Sequence, residues 1–163
     1  MSHVIVQQGT SADLRQTADL LNDIIEIGGT TALTTPLSRE ALADWLMADP
    51  DRAIWHVAMN HAGDVLGFQW IGPFAGLQAE ACEIGTFVKT GRTGLGIGSK
   101  LFDATKAAAR TMGYSWINAE IRADNAGGLA YYQSRSFETY GRKDGIQLED
   151  GTEVSKILKR YDL

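Results

Sequence analysis

Cysteine is almost missing from this 163-residue chain. The single Cys82 excludes an internal disulfide, and with only three scattered histidines there is no thiolate and imidazole cluster at metal-ligand spacing. No metal is expected. Long apolar runs are missing as well: none approaches the roughly 20 residues needed to cross a bilayer, and residues 1–10 lack both the basic start and the apolar stretch of a secretory signal. The expectation is a cytoplasmic protein with no membrane partner. Positive charge is in deficit, with 15 Lys and Arg against 20 Asp and Glu for a net charge of −5. Binding to a phosphate backbone rests on cationic excess, so no nucleic-acid partner is expected, and a cationic small molecule suits the balance better.

What is present is ordinary globular composition, 44% hydrophobic and 21% charged, without repeats, low-complexity segments or linker-like shifts. Residues 1–163 therefore read as a single domain around one core. Alternating valine and isoleucine predict a strand over 3–8. Leu14, Ala18, Leu21 and Ile25 predict a helix over 11–27, with Ser11 as its N-cap. Residues 28–37, rich in Gly, Thr and Pro, form a loop and a candidate lid before Ser38 caps a second helix carrying Leu42, Trp45 and Leu46. Strands over 53–60 and 65–71 flank the hairpin turn at His61, Ala62, Gly63 and Asp64. A strand over 79–89, a glycine-rich turn, a helix over 98–112 and a strand over 115–122 make a parallel crossover. A short helix over 125–134 and strands over 137–143 and 153–161, around a turn containing Gly145 and Gly151, close an α/β fold with a mixed sheet.

The strongest local signal is the turn from Val88 to Leu101, with Gly91, Gly94, Gly96 and Gly98 beside Lys89, Arg92 and Lys100. Glycines let successive backbone N–H groups approach phosphate oxygens, and the following helix adds its positive dipole end. The spacing fits neither competing nucleotide motif. The third glycine comes one residue early for a dinucleotide fingerprint, and Gly98-Ser99-Lys100 inverts the lysine and hydroxyl order of a P-loop. A bare strand-to-helix connection is the alternative reading.

Thr93-Gly94-Leu95-Gly96-Ile97-Gly98 resembles the pyrophosphate motif of the GCN5-related N-acetyltransferases, with Thr93 in place of Gln or Arg and Thr90 in place of a proline. Asn125 to Phe137 resembles a second segment of that family, departing at Gly128 and Ser136. Asn125 and Tyr132 are seven residues apart, about 20° from eclipsed on a helix, so both can face one ligand. Within the family the chain is most similar to the phosphinothricin and methionine sulfoximine acetyltransferases. The likeness lies in Asn22-Asp23, Thr30-Thr31-Ala32, Ile71 to Phe74 and Glu83 to Val88.

The resemblance implies a mostly antiparallel twisted sheet of about seven strands, with a splayed central parallel pair and about four helices. It implies acetyl-coenzyme A as co-substrate, a small amine acceptor and a homodimer. The cofactor residues it implies are Phe87, Val88, Arg92, Thr93, Gly94, Gly96, Gly98, Ser99 and Asn125, with a backbone N–H near Phe87 or Val88 serving the thioester oxygen. Tyr132 takes the place of the acid that protonates sulfur; a phenol with a pKa near 10 is already protonated at pH 7. Acetyl transfer also needs a neutral amine, and an alkylamine with a pKa of about 10.4 is almost wholly protonated at pH 7, so a base is required. Glu83 is the candidate, directly or through water. A salt-bridged or solvent-facing strand carboxylate is the other reading. Thr31, Trp70 and Phe74 are candidate walls of the acceptor pocket, with a plain core role open for Trp70. Cys82 reads as a buried hydrophobe and His56 as a strand residue with a local hydrogen bond. A polyamine, a protein N-terminus or a non-catalytic acyl-coenzyme A module remain alternatives.

Overall fold

The computed structural model describes residues 3–92 and 96–163. Its elements are β1 (Ile5–Gln8), α1 (Leu14–Ile27), α2 (Arg39–Leu46), β2 (Ile54–Met59), β3 (Val65–Gly72), β4 (Ala81–Val88), α3 (Ile97–Thr111), β5 (Trp116–Arg122), α4 (Ala126–Ser134), β6 (Glu138–Gln147) and β7 (Glu153–Asp162). The strands form one sheet in the order β1-β2-β3-β4-β5-β7-β6. Every neighbouring pair is antiparallel except β4 with β5, the mixed sheet the family resemblance implied.

The helices form where apolar side chains recur three and four residues apart. Leu14, Ala18, Leu21 and Ile25 of α1 are buried against the sheet. Ser11 is not the N-cap of α1: it opens a short 3-10 turn over Ser11–Asp13 that is capped by Thr10 in a capping box with Asp13, and Asp13 is the N-cap of the helix itself. Ser38 caps α2 as expected, its side chain accepting the Ala41 N–H at 3.0 Å. Strand alternation sends Trp55, Val57, Phe68 and Trp70 to the face covered by α1 and α2. Ile71, Cys82, Ile84 and Ile117 pack on the other face with Phe102 and Ala109 of α3 and Tyr132 of α4.

β6 runs further than the sequence suggests, through Gly145 to Gln147, where a turn was expected. A bulge between Lys143 and Ile146 takes up the extra residues, with Gly145 at φ +66°, and pairing resumes at Ile146 with Val154. The turn itself lies at 148–152, with Gly151 at φ +89°.

The functional consequence of the topology is at the centre of the sheet. β4 pairs β5 only at Ala81 with Trp116, Cys82 with Ile117 and Glu83 with Asn118. Beyond Glu83, β4 stays on β3 as far as Val88, while β5 stays on β7 as far as Arg122. The two central strands therefore part, and their facing edges are left without a ladder partner.

Candidate active site

A cavity of about 1540 Å³ fills this parting and is lined by residues from both faces of the sheet. It is lined by the last residues of β4, the ends of α3 and α4, the loop 30–33 and side chains of α2 and β3.

Glu83 stands where the parallel ladder ends, 7% exposed, and its Oε1 accepts from Asn118 Nδ2 at 2.6 Å. Asn118 is buried and its Oδ1 in turn accepts from the Tyr140 hydroxyl. Burial, helped by the nearby Glu120 carboxylate, pushes the Glu83 pKa up to about 8 against the pull of Asn118, Lys156 and Lys143. The alternative to a base, a solvent-facing or salt-bridged strand carboxylate, does not match the described residues. The side chain is buried, and its described polar partner is a neutral amide.

Tyr132 enters from α4 on the other face. Its hydroxyl lies 2.7 Å from Thr86 Oγ1, and burial holds its pKa far above the ordinary phenol value, so it keeps its proton. Gln69, fully buried on β3, donates from Nε2 to Thr86 Oγ1 at 2.8 Å and to the Tyr131 hydroxyl at 3.1 Å. Tyr131 donates to the Gly98 carbonyl at 2.8 Å. Gln69, Thr86 and Tyr131 were not singled out from the sequence. Gln69 and Thr86 are cross-strand partners in register, and only the pairing of β3 with β4 reveals that they share a row.

The register also sorts the two backbone donors proposed for the thioester oxygen. Lys89 N–H donates to Leu66 O at 2.8 Å. In an antiparallel ladder alternate residues turn the same way, so Phe87 N–H is directed at β3 and Val88 N–H at the open gap. The Phe87 ring stacks on Phe68 with centroids 4.8 Å apart and lines the cavity.

At the far end, Gly96 adopts the left-handed conformation, φ +74°, as N-cap of α3. A Cβ on Gly98 would lie 2.6 Å from Tyr131 Cε1, so glycine there also makes room for the tyrosine. Gly96, Gly98, Ser99 and Arg92 line the cavity together with Arg135, which donates to Ser99 Oγ. The Nε of Arg135 is buried with no partner among the described residues. Thr93 and Gly94 lie outside the described residues.

The acceptor side is built on the loop 28–37. Asn22 grips its end with two bonds to the Leu37 backbone, at 2.8 and 2.9 Å. Arg122 Nη1 donates to Thr31 O at 3.1 Å while its fork holds Asp124 at 2.8 and 3.0 Å. Asn125 caps α4 by accepting the Gly128 N–H at 3.0 Å, and its Nδ2 donates to Thr30 O at 3.1 Å. Both polar ends of Asn125 are thereby engaged by protein, although the residue lines the cavity. Thr31 Oγ1 accepts the Leu33 N–H at 3.1 Å. Trp70 is both core and cavity wall, and Phe74 is an exposed part of the rim.

Cys82 is fully buried and its thiol pKa is pushed up to about 12, so it is an inert hydrophobe. His56 is a buried strand residue as expected, but its Nδ1 has no partner among the described residues, which corrects the expected local hydrogen bond there.

Comparison with known proteins agrees with this architecture. The family described as "Acetyltransferase (GNAT) family" matches residues 18–137. The Bacillus subtilis (strain 168) protein named "Putative phosphinothricin acetyltransferase YwnH" is 26% identical over 153 residues, covering 93% of this chain and 90% of that protein. A ribosomal-protein-alanine N-acetyltransferase from Brucella melitensis superposes with a TM-score of 0.88 at 25% identity, over 98% of this chain and 99% of that one. A phosphinothricin acetyltransferase from Sinorhizobium meliloti, solved with acetyl-coenzyme A, superposes with a TM-score of 0.86 at 19% identity, over 98% of this chain and 88% of that one. This chain belongs to the GNAT family of acetyltransferases.

Proposed function

We propose that the chain transfers the acetyl group of acetyl-coenzyme A directly to the primary amine of a small amino-acid-like acceptor, of the phosphinothricin or methionine sulfoximine type. The observation that carries this reading is that one cavity receives a carboxyl of raised pKa, Glu83, and a phenol held protonated, Tyr132, beside an unpaired β4 edge.

The site fits the co-substrate. The start of α3 offers Gly96, Gly98 and Ser99 under a helix dipole, and Arg92 and the unpartnered Nε of Arg135 supply cations for a pyrophosphate. The unpaired β4 edge is complementary to the amide-bearing pantetheine arm. Acetyl-coenzyme A supplies a thioester carbonyl reactive toward amines. Glu83 takes the proton of the ammonium, directly or through water, and Val88 N–H donates to the carbonyl oxygen as it gains charge. Tyr132 passes its proton to the departing sulfur. The nitrogen–carbon bond forms and the carbon–sulfur bond breaks. The nitrogen loses one proton to Glu83 before attack and a second after it, sulfur gains one from Tyr132, which is reprotonated from solvent, and one proton is released overall.

The charges lining the acceptor end support a zwitterion. Glu83, with Glu120 beside it, suits an ammonium group, and Lys156, which approaches Glu120 only to 3.8 Å, suits an acid head. The name carried by YwnH points the same way, whereas that of the Brucella structure points to a peptide N-terminus. Release of free thiol from acetyl-coenzyme A, measured across an amine panel, tests the reading. Phosphinothricin, methionine sulfoximine and methionine sulfone are expected to give kcat/KM at least tenfold above spermidine or an alanine-starting peptide, a gap of about 1.4 kcal/mol. A preference for the peptide or polyamine overturns the acceptor assignment, and binding of acetyl-coenzyme A without transfer to any amine overturns the enzyme reading.

A further inference from the structure

The hydroxyl of Tyr132 has one proton and two candidate directions for it: toward Thr86 or into the cavity. The buried row beside it decides between them. A backbone carbonyl can only accept, so at the 2.8 Å contact with Gly98 O the proton belongs to Tyr131. Having given its one proton to Gly98, Tyr131 must accept from Gln69. That fixes the amide of Gln69 with Nε2 toward Tyr131, and the same nitrogen faces Thr86 Oγ1 at 2.8 Å. This orientation leaves Gln69 Oε1 buried without a partner among the described residues, but the opposite one would set two oxygens against each other at 3.1 Å with no proton between them. Thr86 therefore accepts from Gln69, and its own proton has Tyr132 as its described partner, 2.7 Å away. One carbonyl on α3 thus sets the direction as far as Thr86, and the 2.7 Å contact of Thr86 with Tyr132, in which either oxygen could donate, is the last step.

We propose that Gln69 and Thr86 are positioning residues that aim the Tyr132 proton into the cavity, the row Gly98–Tyr131–Gln69–Thr86–Tyr132 acting as a directional chain of donors that ends in a free O–H. This deepens the reading of Tyr132 as the acid and rests on it. Thr86 donating to the Tyr132 oxygen also stabilises the phenolate that forms as the proton leaves, which a row running the other way would not do. Gly98 links the row to the cofactor end, because only glycine there leaves room for the Tyr131 ring.

Thr86→Val removes the donor and keeps the shape, while Thr86→Ser keeps both. With acetyl-coenzyme A and methionine sulfone as substrates, Thr86→Val should lower kcat by about tenfold, a part of what a general acid contributes, with KM for acetyl-coenzyme A within about twofold of wild type. Thr86→Ser should recover most of the loss. In a Tyr132→Phe background, Thr86→Val should cost less than about twofold further, since there is no proton left to aim. A readout independent of turnover is the ionisation of the thiol in bound coenzyme A, followed by thiolate absorbance. Losing the hydrogen bond to the thiolate should move that ionisation up by about one pH unit in Tyr132→Phe, and Thr86→Val, which leaves the bond but removes the donor that strengthens it, should move it up by a smaller, measurable amount.

Equal losses from Thr86→Val in both backgrounds, with Tyr132→Phe itself slow, overturn the directional row and leave Tyr132 as the acid. A Tyr132→Phe enzyme with full kcat overturns the acid reading, and the row with it. An unmoved thiol ionisation in Thr86→Val overturns the row whatever the acceptor.

Discussion

Burial governs Glu83 more strongly than any partner does, and it changes when the residue can act as a base. An exposed carboxylate would be ionised well below pH 7. With its pKa pushed up to about 8, only about a tenth of Glu83 is ionised at pH 7, but each ionised copy is a much stronger base. The profile of kcat/KM should therefore rise along an acidic limb near pH 8. Glu83→Gln should remove that limb and follow the amine's own deprotonation. The gap from wild type should be widest, about 10²-fold, around pH 8 to 9 and close toward pH 10. Steady-state rates from pH 6 to 10 on both enzymes check this, and an acidic limb that survives unchanged in Glu83→Gln would exclude Glu83 as the base. The sequence alone supplies the carboxylate on β4 and places the largest loss at neutral pH. The desolvation that moves it, against the hydrogen bond from Asn118, comes from packing at the ends of β4 and β5, which only the folded sheet brings together.

Among the elements, the N-terminus of α4 is where cofactor machinery and acceptor loop meet. Asn125 was legible as a motif residue, and its spacing from Tyr132 was legible as a shared helix face. Its bond to Thr30, across 95 positions of sequence, was not. The cap and the tether can be separated chemically. Asn125→Ala loses both, so helix capping falls by about 1 kcal/mol and the loop loses one of its bonds. Asn125→Asp keeps an acceptor for the Gly128 N–H but has no donor for the Thr30 carbonyl. The expected result is a Tm near wild type for Asn125→Asp and several degrees lower for Asn125→Ala, with the acceptor KM raised severalfold in both. Thermal melts and separate KM values for acceptor and acetyl-coenzyme A make the check. A rise confined to the KM for acetyl-coenzyme A would assign the Asn125 side chain to the cofactor instead of the loop.

For the molecule as a whole, the order and type of elements were readable because each strand and helix carries its own periodicity. The parting of β4 from β5 was readable only through the family likeness. Nothing in the local pattern of residues 81–88 says that pairing stops at Glu83. That gap has a thermodynamic cost, since among the described residues it leaves the Glu83 carboxyl buried with no ion-pair contact. A carboxyl whose pKa is about 8 in the folded protein, against 4.5 as its ordinary value, holds a proton in the folded state that the unfolded chain releases between those limits. The folded state then binds more protons across that window, so the contribution of Glu83 to stability is full below pH 4.5 and is lost as the pH rises through 8. Glu83→Gln has the same shape and cannot ionise. Relative to wild type it should be close in Tm at pH 5, become progressively more stable toward pH 8, and hold a constant advantage above that, on the order of a few kcal/mol at most. Denaturation curves of both proteins at pH 5, 6.5, 8 and 9 measure the difference directly. A gap that stays the same at all four pH values would mean that the Glu83 carboxyl titrates alike in the folded and unfolded chain. The cavity would then be wetter around β4 than its geometry indicates, and the acidic limb expected in kcat/KM would move down with it.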